Sequence, residues 1–211
     1  MVYKVRDLMR DVRVCLDENV TSAPLLEVGD TDTLSLDEIV RSKLTEGVDM
    51  AHRLASVYRL EEGHGFGESV FWGDLESGWT PLPDDFMRLT VFEMSDWERA
   101  VYSAISPGDL EYALQRQRVK ALRGTAQRPV CAICIRPEGK VLEFYSCKSE
   151  NATVRRAQYI PYSRIDDNGG IDISERCYRG AVYMAASLTL HTLGETEKGK
   201  VLAEIAKTAL Q

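Results

Sequence analysis

The sequence predicts an α+β fold that is mainly α, a helical bundle built from the N- and C-terminal helices with a small inserted β-rich region. Three observations lead to this prediction. Apolar residues recur at helical spacing near both ends, β-branched and aromatic runs fill the middle, and glycine and proline separate these segments. We expect a single domain over residues 1–211, with a helical core at about 2–60, 107–123 and 172–210 and a β-rich insertion at about 80–105 and 128–162.

The N-terminal part of the chain should form two helices. Apolar residues at helical spacing predict an amphipathic helix over residues 2–17, and polar residues with Gly and Pro predict a loop over 18–34. Ser35 and Glu38 then form an S-x-x-E capping box, which predicts a second helix that runs to about Tyr58.

The glycine-rich segment 61–80 follows. Its five glycines disfavour a helix and predict a long loop or a loose hairpin. Phe71, Trp72 and Trp79 are its candidate interface residues, since tryptophans often anchor interfaces. For Trp72 and Trp79, burial in the core and exposure at an interface both remain open. We expect the segment to become ordered on contact with a neighbouring subunit or a tail protein.

The middle of the chain contains the predicted strands. Residues 86–94 read as a strand and 97–101 as a second short strand or edge. Residues 129–135 and 141–147 should form a hairpin, because Pro and Gly lie between them, and 154–161 should add another strand.

One further helix is predicted within this middle region. Ser106 at the N-cap and Pro107 at the first helical position predict its start, and it should end before Gly124.

The C-terminal part should form the second helix pair. Asp172 and Glu175 predict the cap of a long helix that stops near Gly194, and Thr196 predicts the cap of a last helix. The two pairs should pack as a bundle. Gly47, a poor helix former within the second helix, should mark a close approach between two helices.

Composition limits the class of protein. The chain has 26 basic and 33 acidic residues, a net charge of −7, which argues against a dedicated nucleic-acid binder. A local basic cluster exists, and we interpret it as a solvated helix face; its members are Arg116, Arg118, Lys120, Arg123 and Arg128.

No apolar run approaches the roughly 20 residues of a membrane span, and the N-terminus lacks a signal-peptide core, so we expect a cytosolic protein.

Cys131 and Cys134 form the sharpest chemical motif, a C-x-x-C pair. Their apolar neighbours predict a strand, and a spacing of three places two strand side chains on opposite faces. We therefore expect buried structural thiols that bind no metal and form no disulfide, as for the other cysteines of this chain.

The remaining chemical candidates read as structural. The His-Gly-Phe-Gly segment at 64–67 contains two glycines, as a phosphate-binding loop could. Such a loop needs a strand before it and a helix after it, and the sequence predicts neither here. His52 and His191 lie in helical patterns, and the acidic pairs at 84–85 and 166–167 adjoin turns, where Asp bonds backbone amides. The sequence thus predicts neither a catalytic set nor a cofactor or metal site, and we expect that the protein is not an enzyme.

Two parts of the chain resemble a known family. The first comprises Leu-Pro-Asp-Asp-Phe-Met-Arg-Leu at 82–89, Trp-Glu-Arg-Ala-Val at 97–101 and Gly-Thr-Ala-Gln-Arg-Pro-Val at 124–130. The second comprises Ile-Ser-Glu at 173–175, Ala-Val-Tyr-Met-Ala-Ala-Ser at 181–187 and Leu-Gly-Glu at 193–195. Both resemble the head–tail connector proteins (portal adaptors or neck rings) of tailed bacteriophages and prophages. The resemblance covers roughly residues 80–205.

The resemblance implies a helical bundle with an inserted β-region that assembles as a ring, commonly of twelve copies, in solution or only on the portal. The implied partners are further copies of the chain, the portal protein and a tail or stopper protein. DNA would pass through the lumen without sequence recognition. The implied location is the virion neck, and the host cytoplasm during assembly, with no membrane association and no cofactor.

Two other functions remain open. An enzyme or small-molecule-binding protein would have a cleft in the β-rich middle that collects perturbed titratable groups. A nucleic-acid-binding regulator would use the cluster from Arg116 to Arg128 and bind DNA in a salt-sensitive way.

Overall fold

The computed structural model describes residues 1–19, 34–61 and 63–211, so most of the predicted loop at 18–34 lies outside the described residues. These residues form five α-helices and nine strands in three antiparallel sheets. In chain order the elements are β1 (Val2–Lys4), α1 (Val5–Asn19), α2 (Leu36–Leu54), β2 (His64–Gly65), β3 (Phe71–Trp72), β4 (Gly78–Pro81), β5 (Phe86–Met94), α3 (Leu110–Gln115), β6 (Val130–Arg136), β7 (Gly139–Tyr145), β8 (Val154–Pro161), β9 (Gly170–Asp172), α4 (Tyr178–Thr192) and α5 (Thr196–Leu210).

The chain divides into two compact units. The helical unit comprises Met1–Glu61 and Tyr162–Gln211, and the β unit comprises Glu62–Pro161. Among the described residues, no helix has both the length and the apolar character that a membrane span needs.

The helical unit packs four helices around one apolar core. Leu8 and Leu16 of α1, Leu44 of α2 and Leu190 of α4 are completely buried in it. The predicted capping box is confirmed at the start of α2, where the Ser35 hydroxyl accepts the Glu38 N–H at 3.3 Å and Glu38 accepts the Ser35 N–H at 2.8 Å.

The close helix approach predicted for Gly47 is also confirmed. A Cβ atom placed on Gly47 would lie 2.8 Å from the backbone of Ala185, well inside van der Waals contact. The α2–α4 crossing therefore requires glycine at this position.

The β unit contains two sheets and an aromatic core. Strands β2, β8 and β5 form one sheet in that order, and β3, β4, β7 and β6 form the other. Phe92, Trp97 and Phe144 are buried together, with ring centroids 5.6 Å apart for Phe92 and Phe144. The strand at 86–94 and the hairpin around 137–140 are confirmed as predicted.

The prediction of a mainly α fold is wrong, because the chain has more strand than expected and is a β-rich α+β protein. In segment 61–80, predicted as a long loop or a loose hairpin, the hairpin is confirmed by the pairing of β3 with β4, but the segment also supplies β2. Strand β4 pairs along its whole length with β7, so glycine in this segment did not prevent strand formation.

The helix predicted over 107–123 contributes to the same error. It is reduced to the six residues of α3, with Asp109 rather than Ser106 at its N-cap. Its apolar side chains do not form a buried stripe, since Leu110 is 91% and Leu114 40% exposed. Local capping signals alone do not stabilise a long helix without such packing.

Three smaller boundaries also differ from prediction. Residues 2–4 form β1 rather than helix, and Asp172 pairs with Val2 in β9 rather than capping α4. The second strand predicted at 97–101 is only an isolated bridge between Val101 and Phe92. In the first two cases the pairing of β1 with β9, which is distant in sequence, decides the conformation.

Candidate functional site

A row of side chains crosses the four-stranded sheet of the β unit. Phe71 of β3 pairs directly with Trp79 of β4, and Trp79 pairs directly with Glu143 of β7. Direct cross-strand partners project from the same face of a sheet. The three side chains are therefore neighbours, although 72 positions separate the first from the last.

The aromatic end of this row is exposed. The Phe71 and Trp79 rings stack with centroids 4.3 Å apart and planes 16° apart, and Phe71 is 46% exposed. The Arg136 guanidinium lies 5.1 Å from the Trp79 ring centroid, which is a cation–π contact. We call Phe71, Trp79 and Arg136 the aromatic surface.

Glu143 fixes this surface from below. Its carboxylate is buried, and Oε1 accepts hydrogen bonds from Nε and Nη2 of Arg136 at 3.0 and 2.6 Å. Oε2 accepts hydrogen bonds from the hydroxyls of Tyr145 and Tyr112, the latter at 3.1 Å. Each carboxylate oxygen thus has two donors, so the buried charge is fully compensated.

The electrostatics match this geometry. Burial by itself would raise the pKa of Glu143, but the hydrogen bonds from Tyr145 and Arg136 outweigh it and hold the pKa below its ordinary value. Burial raises the pKa of Tyr112 to about 12 and that of Tyr145 further. At neutral pH the carboxylate is ionised and both phenols remain donors, so the cluster orients Arg136 and has no lone pair to act as a base.

The structure separates the three predicted interface residues. Phe71 and Trp79 lie together on the aromatic surface. Trp72 projects from the opposite face, where its half-buried ring packs edge-on against Phe144 at 5.5 Å, so it belongs to the core.

Sequence reasoning missed Arg136, Glu143 and the two tyrosines. One signal was present: Glu143 is the only acid in the apolar run from Val141 to Tyr145, and such a residue on a buried strand requires a partner.

Cys131 and Cys134 lie on opposite faces of β6, as predicted. Cys131 packs in the aromatic core with Phe144, whereas Cys134 packs with Val141 and Tyr145. Over residues 1–19, 34–61 and 63–211, no three His, Cys, Asp or Glu side chains are grouped so as to hold a metal ion.

Several other candidates have structural contacts. In the helical unit, His52 Nε2 accepts the Ser174 N–H at 3.2 Å. Asp85 accepts the Tyr159 hydroxyl at 2.8 Å, and Asp166 accepts the Asn168 and Gly170 N–H groups at 2.8 and 2.7 Å. The turn role predicted for Asp166 is confirmed.

The basic cluster does not form the helix face that we expected. Because α3 ends at Gln115, the members from Arg118 to Arg128 follow the helix in turns and a short 3-10 helix at Lys120–Leu122. Lys120 pairs with Glu76 at 2.7 Å, and Arg123 Nη1 donates to the Leu75 carbonyl at 2.7 Å. Part of the cluster therefore holds the turn between β3 and β4.

Comparison with known proteins adds no assignment: no protein-family model matches the chain, and no curated protein matches it.

Proposed function

We propose that this chain is a structural assembly protein, a head–tail connector of a tailed phage or prophage, and that the aromatic surface docks a neighbouring copy in its ring. The resemblance of residues 80–205 supports the connector assignment. The observation that carries the docking role is the stack of the exposed Phe71 on the half-buried Trp79, fixed through Arg136 by the buried Glu143.

The chemistry of the surface favours contact over catalysis. Aromatic residues and arginine are the side chains that most often dominate interface energetics. Two hydrogen bonds to Glu143 and a cation–π contact with the Trp79 ring already hold Arg136 in place. Its side chain therefore loses little conformational entropy on docking. The carboxylate beneath it is saturated with donors, which suits a positioning role.

Charge favours a second copy as the occupant. The Glu143 carboxylate neutralises Arg136, so the net positive charge beside the aromatic surface is that of Arg116, whose Nη2 lies 2.5 Å from the Tyr112 hydroxyl. The chain as a whole carries −7, so its other surfaces are on average complementary to this one. Contact between two different patches of identical chains is head-to-tail, and such contacts form a ring when the rotation between neighbouring copies closes.

In this proposal the portal protein and a tail or stopper protein bind the two ends of the ring, and DNA passes through the lumen without sequence recognition. A negatively charged chain suits that passage because it does not grip the DNA phosphates. The ring occupies the virion neck and is assembled in the host cytoplasm.

Negative-stain electron microscopy with light scattering after gel filtration tests the proposal. The wild-type chain, alone at high concentration or with the portal protein of the same genome, should form rings. The double variant Phe71→Ala/Trp79→Ala should remain monomeric under the same conditions. Tyr58→Ala is the matched control, because Tyr58 is an 88% exposed aromatic residue of the helical unit. Rings of the double variant, or no wild-type rings in either setting, would contradict the proposal.

A further inference from the structure

A second region of the β unit forms a cleft of about 460 Å³. Its walls are the turn between β3 and β4, the chain that follows β7, and the irregular segment after α3. The residues that the argument uses are Leu75, Glu76, Lys120, Arg123, Ser146 and Lys148.

Backbone strain is concentrated at this cleft. In the part of the chain that the structure describes, three non-glycine residues have a positive φ: Leu75 at 61°, Glu76 at 60° and Ser146 at 86°. All three line the cleft. A side chain disfavours this conformation, and strained residues of this kind persist where the surrounding structure holds them, often at functional sites.

The contacts that hold the strained turn are specific. Arg123 Nη1 donates to the Leu75 carbonyl at 2.7 Å, and the Cys147 N–H donates to the Glu76 carbonyl at 3.2 Å. Tight hairpin turns with two positive φ angles normally contain Asn and Gly. The use of Leu75 and Glu76 instead keeps the Glu76 carboxylate beside Lys120, at 2.7 Å.

Two polar atoms at the cleft have no hydrogen-bond partner among the described residues. They are Nε of Arg123 and Oγ of Ser146, and both are buried. Gly124 makes room for the hydroxyl, since a Cβ at that position would lie 2.5 Å from Ser146 Oγ. Buried polar groups without partners are costly, so a ligand that supplies acceptors would be favoured here.

Of the three positively charged side chains described at the cleft, two lie beside carboxylates and Arg123 does not. Lys120 pairs with Glu76, and Lys148 Nζ lies 3.7 Å from Glu98. Over the described residues, the bonds of Arg123 include a carbonyl but no carboxylate. Asp96 lies behind the wall, where its carboxylate accepts the Lys148 N–H, and it does not line the cleft.

We propose that this cleft binds an oxyanion, a carboxylate or a phosphate group, with Arg123 supplying the charge and both Arg123 and Ser146 donating hydrogen bonds. A planar guanidinium fork suits either oxyanion. Because both donor atoms are buried, each must turn toward the cleft to reach the bound group. None of the three residues of the aromatic surface lines the cleft, although Tyr145, which donates to Glu143, does; the proposal does not depend on the connector assignment.

Isothermal titration with inorganic phosphate and with a blocked glutamate, at low and high salt, tests this site. We expect wild-type binding that weakens with salt, and the tighter of the two probes identifies the oxyanion. Arg123→Gln should weaken binding about tenfold or more. Arg118→Gln removes an exposed arginine that does not line the cleft and should leave binding unchanged.

A second variant separates binding from folding, because Arg123 also holds the Leu75 carbonyl. Ser146→Gly removes the hydroxyl and relieves the positive φ, so it should raise the unfolding temperature while weakening binding about fivefold. Failure of the wild-type chain to bind either probe would overturn the proposal. So would equal weakening by Arg118→Gln, or wild-type affinity in both Arg123→Gln and Ser146→Gly.

Discussion

Arg136 donates two hydrogen bonds to a single oxygen of Glu143, from Nε at 3.0 Å and from Nη2 at 2.6 Å. The two residues lie on adjacent strands of the hairpin that β6 and β7 form. Arg136 contacts both the buried Glu143 carboxylate and the Trp79 ring on the aromatic surface. A substitution of Glu143 should therefore alter the position of Arg136 against the Trp79 ring.

Glu143→Gln should destabilise the protein by about 2 kcal/mol. The amide keeps the size of the side chain but leaves the Arg136 charge without its partner. The loss should fall below the range for a fully buried pair because the Arg136 side chain is 37% exposed. Urea denaturation measures the change. Glu138→Gln, at the exposed turn of the same hairpin, is the control and should be neutral. Equal stability of both variants would show that the pair contributes nothing.

The stabilisation from Glu143 should depend on pH. Its folded pKa is lowered from the ordinary value of 4.5, so the folded state favours the ionised form. The contribution is therefore complete above pH 4.5 and is lost as the pH falls through the folded pKa. In thermal melts across this range, the difference in unfolding temperature between the wild type and Glu143→Gln should shrink as the pH is lowered. A stability difference that stays constant down to acidic pH would contradict the assigned ionisation.

Gly47→Ala should destabilise the helical unit although alanine favours helix. The new Cβ would lie 2.8 Å from the Ala185 backbone, so α2 and α4 must move apart, at a cost of about 1–3 kcal/mol. The gain in helix propensity is only about 1 kcal/mol. Urea denaturation of Gly47→Ala should therefore show lower stability, whereas Gly65→Ala, where no atom lies within 4 Å, should be near neutral. A stabilised Gly47→Ala would rule out the close packing of α2 and α4.

The cysteines should react slowly with iodoacetamide in the folded protein. All five are buried, and burial raises the pKa of Cys131 and Cys134 and that of Cys147 to about 12, so little thiolate forms at pH 8. Mass spectrometry should find five labelled thiols after unfolding in denaturant and few before it. Rapid labelling of Cys134 in the native state would place it at the surface instead.

The sequence predicted those elements whose signals are local. The capping box at Ser35 and Glu38, the strand at 86–94 and the hairpin around 137–140 each carry their own start, stop or turn residues. The strands within segment 61–80 have two to four residues. Strands β2 and β4 form by pairing with β8 and β7, about 60 or more positions away, so no local pattern indicates them, whereas β3 pairs with β4 in a local hairpin.

The candidate site was predictable only in part for the same reason. Residue type alone indicates Phe71, Trp72 and Trp79 as candidates, and only the structure separates Trp72, which packs in the core, from the other two. The partners that fix them come from α3, β6 and β7, and only the register of the sheet brings Glu143 opposite Trp79. The helix predicted to 123 was wrong because helix propensity and capping do not report whether a buried face exists.

Photo-cross-linking from position 71 tests the central claim most directly, because it reports what touches the aromatic surface. A photoreactive phenylalanine analogue at position 71 should yield covalent dimers of the chain when the protein assembles with the portal protein of the same genome. The same analogue at position 58, on the helical unit, should yield few. Cross-links from position 71 to the portal alone, equal yields from both positions, or no product from position 71 in assembled samples would contradict the account.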